Sequence, residues 1–567
     1  MNKPVEAAAA TLTGAEAVVE TLRAHGVEIL FGLCGDTSLP FYDALARLPH
    51  GMRHVLTRDE RHAAYMADGY ARVSGRVGVC EGPSGGGATY LLPGVAEANE
   101  SSVPLVAITT DISVSSRNRF TLTELDQRAL MRPVTKWNAV IERPADVPRL
   151  LRAAFAQATA GRPGAVHLAL PFDVQNGPVE RSEVWGDPSL GACPSRRTGP
   201  DGFLVELAAK LLRAARNPVF ICGGGVVTSG AESELIELAE RLSAPVATTI
   251  SGRGAIPDAH PLAAGVVGSN GGTPETRSIV DGADLVFFVC CRAGSVTTER
   301  WRHPAPGKAK IVHLDVDPQA IGANYRTDVP IVGDAKLCLA ALNECLEPFR
   351  RNGNAEHVGK AKRKKFARFD ALAISDEKPI RPERVVAAMA RALDLDAIVA
   401  LDPGTPCPYF SAYFPVRGSG RRIFSNRAHG ALGYAMPAAV GAHFARPAAK
   451  AVAVMGDGSF GMCVGELETI ARLKLPLTLV VLSNAAYGWI KAGQKTGYAK
   501  RYFSVDFSAT DHAKVAQAYG VRAWRVLDPP DLEDVLKKAL AHPGPTLVDI
   551  VCQPLHDAAA PVSEWIA

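Results

Sequence analysis

The sequence predicts an α/β protein made of three doubly wound parallel-sheet domains. Three observations predict it. Strand-like runs alternate with amphipathic helix-like runs along nearly the whole chain. The strand-like runs are continuously apolar, the pattern of strands covered on both faces. The alternation is interrupted twice, once by a Pro/Gly/Ser-rich stretch and once by a basic one.

The first block covers residues 1–180. Thr13-Gly14-Ala15-Glu16 is a capping box ahead of the amphipathic run AVVETLRAHG, and Gly26 is placed to cap its end. VEILFGL then reads as a buried strand. Helix DERHAAYMADGYARVSG, strands RVGVCEG and PLVAITT, helix VPRLLRAAFAQAT and strand AVHLALP follow. Residues 181–200 lose periodicity (GDPSLGACPSRRTGPDG) and read as a linker.

A second block, 200–345, runs helix FLVELAAKLLRAA, strand PVFICGGG, helix ESELIELAERLS, then strands PVATTI, ADLVFFVCC and KIVHLDVD. The basic stretch RRNGNAEHVGKAKRKKFARFD reads as a solvated helix or a linker. The third block, 381–555, runs helix PERVVAAMARAL, strand AIVALD, helix PAAVGAHFA, strand KAVAVMGDG, helix VGELETIARLKL, strand LTLVVLSN, helix DHAKVAQAYG and strand TLVDIV. Residues 556–567 read as an irregular tail. The first and third blocks share size and alternation, which permits a duplicated fold without showing one.

Bulk properties exclude several classes. With 567 residues, 47% apolar and 21% charged, a folded chain of about three domains is expected. A net charge of +4 argues against a nucleic-acid surface. The eleven cysteines include no CxxC pair and no zinc-spaced cluster, so they read as reduced core thiols of a cytoplasmic protein. The opening residues lack the apolar stretch of a signal peptide, and no segment reaches the ~18 apolar residues of a membrane span.

The chemistry is carried by AVAVMGDGSFGMCVGELETIARLKLPLTLVVLSNAAYGWIK. A strand ends at Met455, Gly456-Asp457-Gly458-Ser459 forms a tight turn, a helix follows, and a second strand ends at Asn484. Ligands of open α/β sheets bind beyond the carboxyl ends of strands, so Asp457 and Asn484 lie on one rim. A carboxylate oxygen, an amide oxygen and a carbonyl from the following loop, with diphosphate oxygens and water, make an octahedron suited to Mg²⁺. Gly458 allows close approach of a phosphate, and the helix start favours its charge.

This segment resembles the signature of the thiamine-diphosphate enzymes: GDG, a spacer of under thirty residues, then Asn-Asn. Asp457 and Asn484 are 27 positions apart, which keeps the register. The first Asn of the pair is Ser483 here. The resemblance runs along nearly the whole chain and is closest to the branch with acetolactate synthase, benzoylformate decarboxylase and pyruvate decarboxylase. HVLTRDERHAAYMADGYARVSGRVGVCEGPSGGGATY resembles the acetolactate-synthase segment that carries the family's glutamate, which falls on Glu60. HGALGYAMPAAVGAH resembles the region that cradles the cofactor rings.

The resemblance implies a pyrimidine-binding, a central and a diphosphate-binding domain. It implies thiamine diphosphate held through Mg²⁺ by Asp457, Asn484 and the carbonyl of Ala486, with Gly458, Ser459, Tyr487 and Gly488 around it. Glu60 would hydrogen-bond the aminopyrimidine ring nitrogen and so promote loss of the thiazolium C2 proton; out of that context it would be an exposed helix-start residue pairing with Arg58 or Arg61. Leu432 would bend the cofactor, or is a core leucine. The Gly430 carbonyl would accept from the aminopyrimidine amine. Gly404 and Thr405 would grip the diphosphate, or form an ordinary turn. His62 and His429, beside these segments, read as neutral structural histidines.

The substrate end is less determined. Asp36 falls where pyruvate decarboxylase has a catalytic Asp, and is either a proton shuttle or an Asx-turn residue. The His-His pair of that enzyme is missing from TTDISVSSRNRF. Gln127 and Trp489 fall near positions that face substrate in relatives, or else pack. Where acetolactate synthases have a Met-His-Gly turn this chain reads VVGSNGGTPE, so no tightly held FAD is expected. The implied reaction is cleavage or formation of a C–C bond next to a carbonyl, with a 2-oxo acid or acyloin as the small-molecule substrate. A 2-hydroxyacyl-CoA or acyloin lyase is the alternative enzyme, with Lys360–Lys365 as a possible nucleotide contact, and a silent regulatory subunit is the alternative class. The family builds its site from two subunits, which implies a homodimer or homotetramer.

Overall fold

The computed structural model describes residues 10–349, 351 and 353–565, so the first nine residues, on which the signal-peptide reading partly rests, lie outside the described residues. The chain divides into two compact units that meet between Arg196 and Arg197.

Among its described residues the first unit holds eight strands: β1 (Thr11–Thr13), β2 (Ile29–Gly32), β3 (Arg53–Leu56), β4 (Gly78–Gly82), β5 (Leu105–Asp111), β6 (Trp137–Val140), β7 (Ala165–Pro171) and β8 (Pro178–Glu180). Six of them form a parallel sheet in the order β3-β2-β4-β5-β7-β6. Strands β1 and β8 pair antiparallel in a ribbon too short to show in the sequence pattern.

The second unit holds two further parallel sheets. The central one comprises β9 (Pro218–Cys222), β10 (Val246–Thr248), β11 (Ala263–Val266), β12 (Leu285–Val289), β13 (Lys310–Asp315) and β14 (Val329–Val332), ordered β11-β10-β9-β12-β13-β14. The third comprises β15 (Ile398–Leu401), β16 (Ile423–Ser425), β17 (Ala451–Gly456), β18 (Thr478–Ser483), β19 (Arg522–Val526) and β20 (Thr546–Val551), ordered β16-β15-β17-β18-β20-β19. Counted within each sheet, the first and third share one strand order, 2-1-3-4-6-5, and the central sheet has 3-2-1-4-5-6. The likeness of the first and third blocks is therefore one of topology.

Continuous apolar strands follow from burial on both faces. In the central sheet Phe220 and Phe287 pack into one cluster, while their neighbours Ile221 and Phe288 pack into another. Alternate side chains point to opposite faces, so neither face can be polar.

Helix α1 (Gly14–Ala24) carries the capping box: Thr13 Oγ1 accepts from Glu16 N, and Glu16 Oε2 accepts from Thr13 N. Gly26, just beyond the His25 cap, has φ +73°. Helix α2 (Leu39–Arg47) follows β2, and α3 (Glu60–Ser74) follows β3, capped by Asp59 and ended by Gly75 in the left-handed region. Helix α4 (Gly86–Glu100) packs on α3 so closely that a Cβ at Gly94 would lie 2.3 Å from Ala64 Cβ. Gly94→Ala must push α3 and α4 apart, at a cost of about 1–3 kcal/mol. Denaturant unfolding checks this.

Three expectations need correction. The basic stretch is a helix, Asn354–Ala373, but not merely a solvated one. Lys362 Nζ donates to the carbonyls of Asp258 and His260, and buried Lys365 packs over the Phe366 and Tyr413 rings, where burial pulls its ammonium down to about 8. Both lysines are engaged inside the unit, while Lys360, Arg363 and Lys364 are exposed. The Gly456–Ser459 turn is helical from Asp457 onward (Asp457–Cys463), because the strand feeds straight into the helix. Residues 556–565 carry no helix or strand and are docked: Gly271 N donates to Pro561 O, Ser563 N donates to Ser269 O, and Trp565 packs on Trp489. Finally, all eleven cysteines are free, but Cys345 is exposed and Cys34, Cys193 and Cys290 are only partly buried. No helix among the described residues is long and apolar enough to cross a membrane.

Candidate active site

In sheets of the 2-1-3 order the crevice opens where the strand order reverses. In the third sheet that point lies between β15 and β17. The carboxyl end of β15 leads into Asp402, Gly404 and Thr405, and β17 leads into Asp457. Asp402 is buried and accepts from the backbone N–H groups of Tyr434 and Ala435, which anchors the segment holding Gly430 and Leu432. Gly404 has φ +95°, which favours glycine at this turn. Thr405 is buried at the start of helix Pro406–Tyr413.

Asp457 is 5% exposed. Its Oδ1 accepts from Gly458 N at 3.0 Å, and its Oδ2 accepts from Asn484 N at 2.8 Å and Ala485 N at 2.6 Å. These bonds tie the end of β17 to the end of β18. Burial pushes the carboxyl above its ordinary value, although the three N–H donors oppose the shift. The amide oxygen of Asn484 is buried and has no hydrogen-bond partner among the described residues. Such an atom costs about 1–3 kcal/mol unless something satisfies it. Two further polar atoms on this rim, Ser425 Oγ and Asn426 Oδ1, are also buried without partners.

The loop after β18 is turned by Ala485 at φ +55° and held by Tyr487 N to Val505 O and Phe507 N to Ala485 O. The Ala486 carbonyl accepts from Gly488 N at 2.9 Å, which leaves it a second lone pair. A Cβ on Gly458 would meet the Tyr487 ring at 2.8 Å, so the close approach that Gly458 permits is first of all that of Tyr487. A Cβ on Gly488 would lie 3.9 Å from Thr405 Oγ1, and one on Gly433 would lie 3.1 Å from Met462 in helix Asp457–Cys463. The third sheet thus brings Thr405, Leu432, Asp457, Gly458, Ser459, Asn484, Ala486, Tyr487 and Gly488 into one neighbourhood. Gly430 and His429 are exposed. Trp489 is partly buried against the core and Trp565.

Ser483, where the family pattern has Asn, has its own partners. Its hydroxyl donates to Asp549 Oδ1 and lies 3.0 Å from His512 Nδ1. Asp549 Oδ2 accepts from His512 N, and the His512 ring stands edge-on to Phe460. The departure replaces an amide by a hydroxyl that fastens β18 to β20.

In the first unit the order reverses between β2 and β4. Glu60 heads α3 beside that point: a Cβ on Gly82 would lie 3.3 Å from its Cγ, and one on Gly87 would lie 3.0 Å from its Oε1. Glu60 is buried, and burial raises its carboxyl above the ordinary value, with neighbouring Asp59 adding to the rise. Arg61 pairs with Asp59 instead. His62 is buried near Tyr65. Asp36 is exposed at the end of the β2 loop. Gln127 is buried: its amide nitrogen donates to Thr110 O, and its oxygen accepts from Thr109 Oγ1.

One group went unnoticed in the sequence. Glu81, in the middle of RVGVCEG, is fully buried on β4, and burial pushes its carboxyl up to about 8. The signal was a charged residue inside a continuously apolar strand.

Three family profiles cover the chain: the N-terminal TPP binding domain of thiamine pyrophosphate enzymes at residues 12–130, the central domain at 205–342, and the C-terminal TPP binding domain at 402–550. The chain belongs to the thiamine pyrophosphate enzymes. It is 37% identical to the probable acetolactate synthase large subunit of Methanocaldococcus jannaschii over 96% of this chain and 92% of that protein. It is 33% identical to the acetolactate synthase of Arthrospira platensis, over 95% and 94%. It is 34% identical to acetolactate synthase isozyme 3 large subunit of Escherichia coli, over 93% and 92%. The protein is a thiamine-diphosphate enzyme; the reversal between β2 and β4 falls inside the matched N-terminal TPP binding domain, and the C-terminal match begins at Asp402, directly after β15.

Proposed function

We propose that this enzyme decarboxylates a 2-oxo acid and joins the remaining fragment to a second carbonyl compound, as an acetolactate-synthase-type carboligase. The observation that carries the reading is the buried, unpartnered Asn484 oxygen beside the buried Asp457 carboxylate, in a chain whose curated relatives are acetolactate synthases. That donor set, with the Ala486 carbonyl, is all oxygen and fits Mg²⁺. Gly404, Thr405, Gly458, Ser459, Tyr487 and Gly488 would border the diphosphate, and Gly430 and Leu432 the rings. Thiamine diphosphate, when bound, supplies an acidic carbon that adds to the carbonyl and an electron sink for the bond that breaks.

The protein's own groups hold and move protons. Glu60 keeps a proton at its carboxyl to higher pH than an exposed glutamate, because burial disfavours the anion. A carboxyl so shifted is better able to act as donor and acceptor toward a ring nitrogen than an exposed one. Asp457 orients the β18 loop by accepting from Asn484 N and Ala485 N, which presents the Asn484 oxygen. Asp36, Gln127 and Trp489 are proposed to border the substrate, Gln127 through its hold on Thr109 and Thr110. The proposal carries no tightly held FAD, a cytoplasmic location, and a twofold oligomer in which the Glu60 half-site of one copy serves the metal half-site of another.

Incubation of the holoenzyme with pyruvate, alone and with 2-oxobutanoate, tests the reading. Release of CO₂ with formation of a 2-hydroxy-2-alkyl-3-oxo acid is expected. No CO₂ from any 2-oxo acid, with aldehyde released instead from a 2-hydroxyacyl-CoA or an acyloin, overturns it in favour of a lyase.

A further inference from the structure

Glu81 has no role in the reading above, yet it is the most perturbed carboxyl near Glu60. Its Oε1 accepts from Ser38 Oγ at 2.6 Å and its Oε2 from Tyr42 OH at 2.8 Å. From Ser38 a file of hydroxyls runs outward. Ser38 Oγ lies 3.0 Å from Thr110 Oγ1, Thr110 Oγ1 lies 2.8 Å from Thr37 Oγ1, Thr37 Oγ1 donates to Ser84 Oγ at 3.1 Å, and Ser84 Oγ lies 2.7 Å from Thr123 Oγ1. Thr123 is exposed and donates to Leu122 O. Ser38, Thr110 and Ser84 are buried. Five hydroxyls at hydrogen-bond distance thus link a buried carboxyl to the surface. Each is both donor and acceptor, as proton transfer along a file requires.

We propose that Glu81 is a second acid–base group of the Glu60 half-site, exchanging its proton with solvent along Ser38, Thr110, Thr37, Ser84 and Thr123. This rests on the reading of Glu60 as the acid–base group that serves the cofactor. The proton count closes: Glu81 passes one proton to Ser38, each hydroxyl passes its own proton outward as it receives one, and Thr123 releases one to water. The return trip reverses every step. Glu81 touches no reacting atom and is a positioning residue; in its neutral form it adds no second negative charge beside Glu60.

Other ionisable groups face Glu81. Cys34 follows β2, Tyr42 lies on α2 with His54 of β3 at 3.0 Å from its hydroxyl, Glu60 heads α3, and Cys80 precedes Glu81 on β4. Burial raises both thiols and the Tyr42 phenol, so none of the three ionises below the carboxyl. His167, behind Thr109, is held neutral by burial, which lowers it to about 3. The Tyr42–His54 branch is the competing proton route.

Infrared difference spectra of the full-length protein, recorded without cofactor between pH 6 and 10, are the test. A protonated-carboxyl band that disappears with a midpoint near 8 is expected in the wild type and in Glu60→Gln, and is expected to be missing in Glu81→Gln. Glu81 is expected to lower wild-type stability as pH rises from about 4.5 to about 8, since the unfolded chain loses this proton first, and Glu81→Gln removes that contribution to the slope. On mixing with D₂O, Thr110→Val or Ser84→Ala slows exchange of the band tenfold or more, while Tyr42→Phe does not. In the holoenzyme, kcat falls above pH 8 in the wild type and stays level in Glu81→Gln. A band with a midpoint near 8 that persists in Glu81→Gln, or exchange slowed by Tyr42→Phe and not by the hydroxyl variants, overturns the proposal. Failure of cofactor uptake would instead remove the reading of Glu60 and leave these spectra unchanged.

Discussion

Glu60→Gln is expected to leave cofactor uptake intact and to lower turnover by about two orders of magnitude or more, the scale of lost acid–base catalysis. The amide matches the carboxyl in shape, so the contacts around Gly82 and Gly87 persist. What is lost is titration. The folded environment disfavours the Glu60 anion and so raises its carboxyl above the ordinary value, and glutamine has no proton to exchange. Steady-state turnover with a separate binding isotherm checks both halves. Unchanged turnover would remove Glu60 from the reaction, and lost binding would make it a structural contact.

The second large effect is expected from Asn484→Ala. The Asn484 oxygen takes part in no protein hydrogen bond, so its removal breaks none, and the backbone N–H to Asp457 remains. Stability should be unchanged or slightly higher, because an unsatisfied buried atom is gone. Mg²⁺-dependent cofactor affinity should fall by more than the roughly 10–100-fold that loss of an outer-shell partner costs a metal site. Asp457→Ala is a less clean variant, since it also strands the N–H groups of Asn484 and Ala485. Thermal unfolding of the apo protein and cofactor titration at saturating Mg²⁺ separate the two contributions. A destabilised apo Asn484→Ala with unaltered affinity would mark Asn484 as a packing residue.

Much of this was legible in the sequence because a strand end is a local feature. The apolar run ending at Met455 and the one ending before Asn484 place both residues on one rim by chain geometry alone. The Thr13–Glu16 box and the Asp59 cap were legible for the same reason. Strand order was not, since nothing in a strand's own residues names its neighbour. The shared 2-1-3-4-6-5 order of the first and third sheets emerged only from pairing. The helical start at Asp457 was masked by Gly456 and Gly458, whose residue type argues for a turn. Lys362 and Lys365 looked like solvent-facing charge, because spacing does not reveal carbonyls of Asp258 and His260 brought in from elsewhere in the chain. Glu81 was passed over for a related reason: its partners Ser38 and Tyr42 lie some forty residues upstream.

Isothermal titration of thiamine diphosphate into the full-length protein, with Mg²⁺ and then with excess chelator, addresses the metal-bridged site most directly. One equivalent per chain should bind with Mg²⁺ present, and binding should vanish on chelation. Equal affinity without any divalent cation, or no heat of binding in either case, would contradict the assignment of Asp457, Asn484 and Ala486 as the metal ligands.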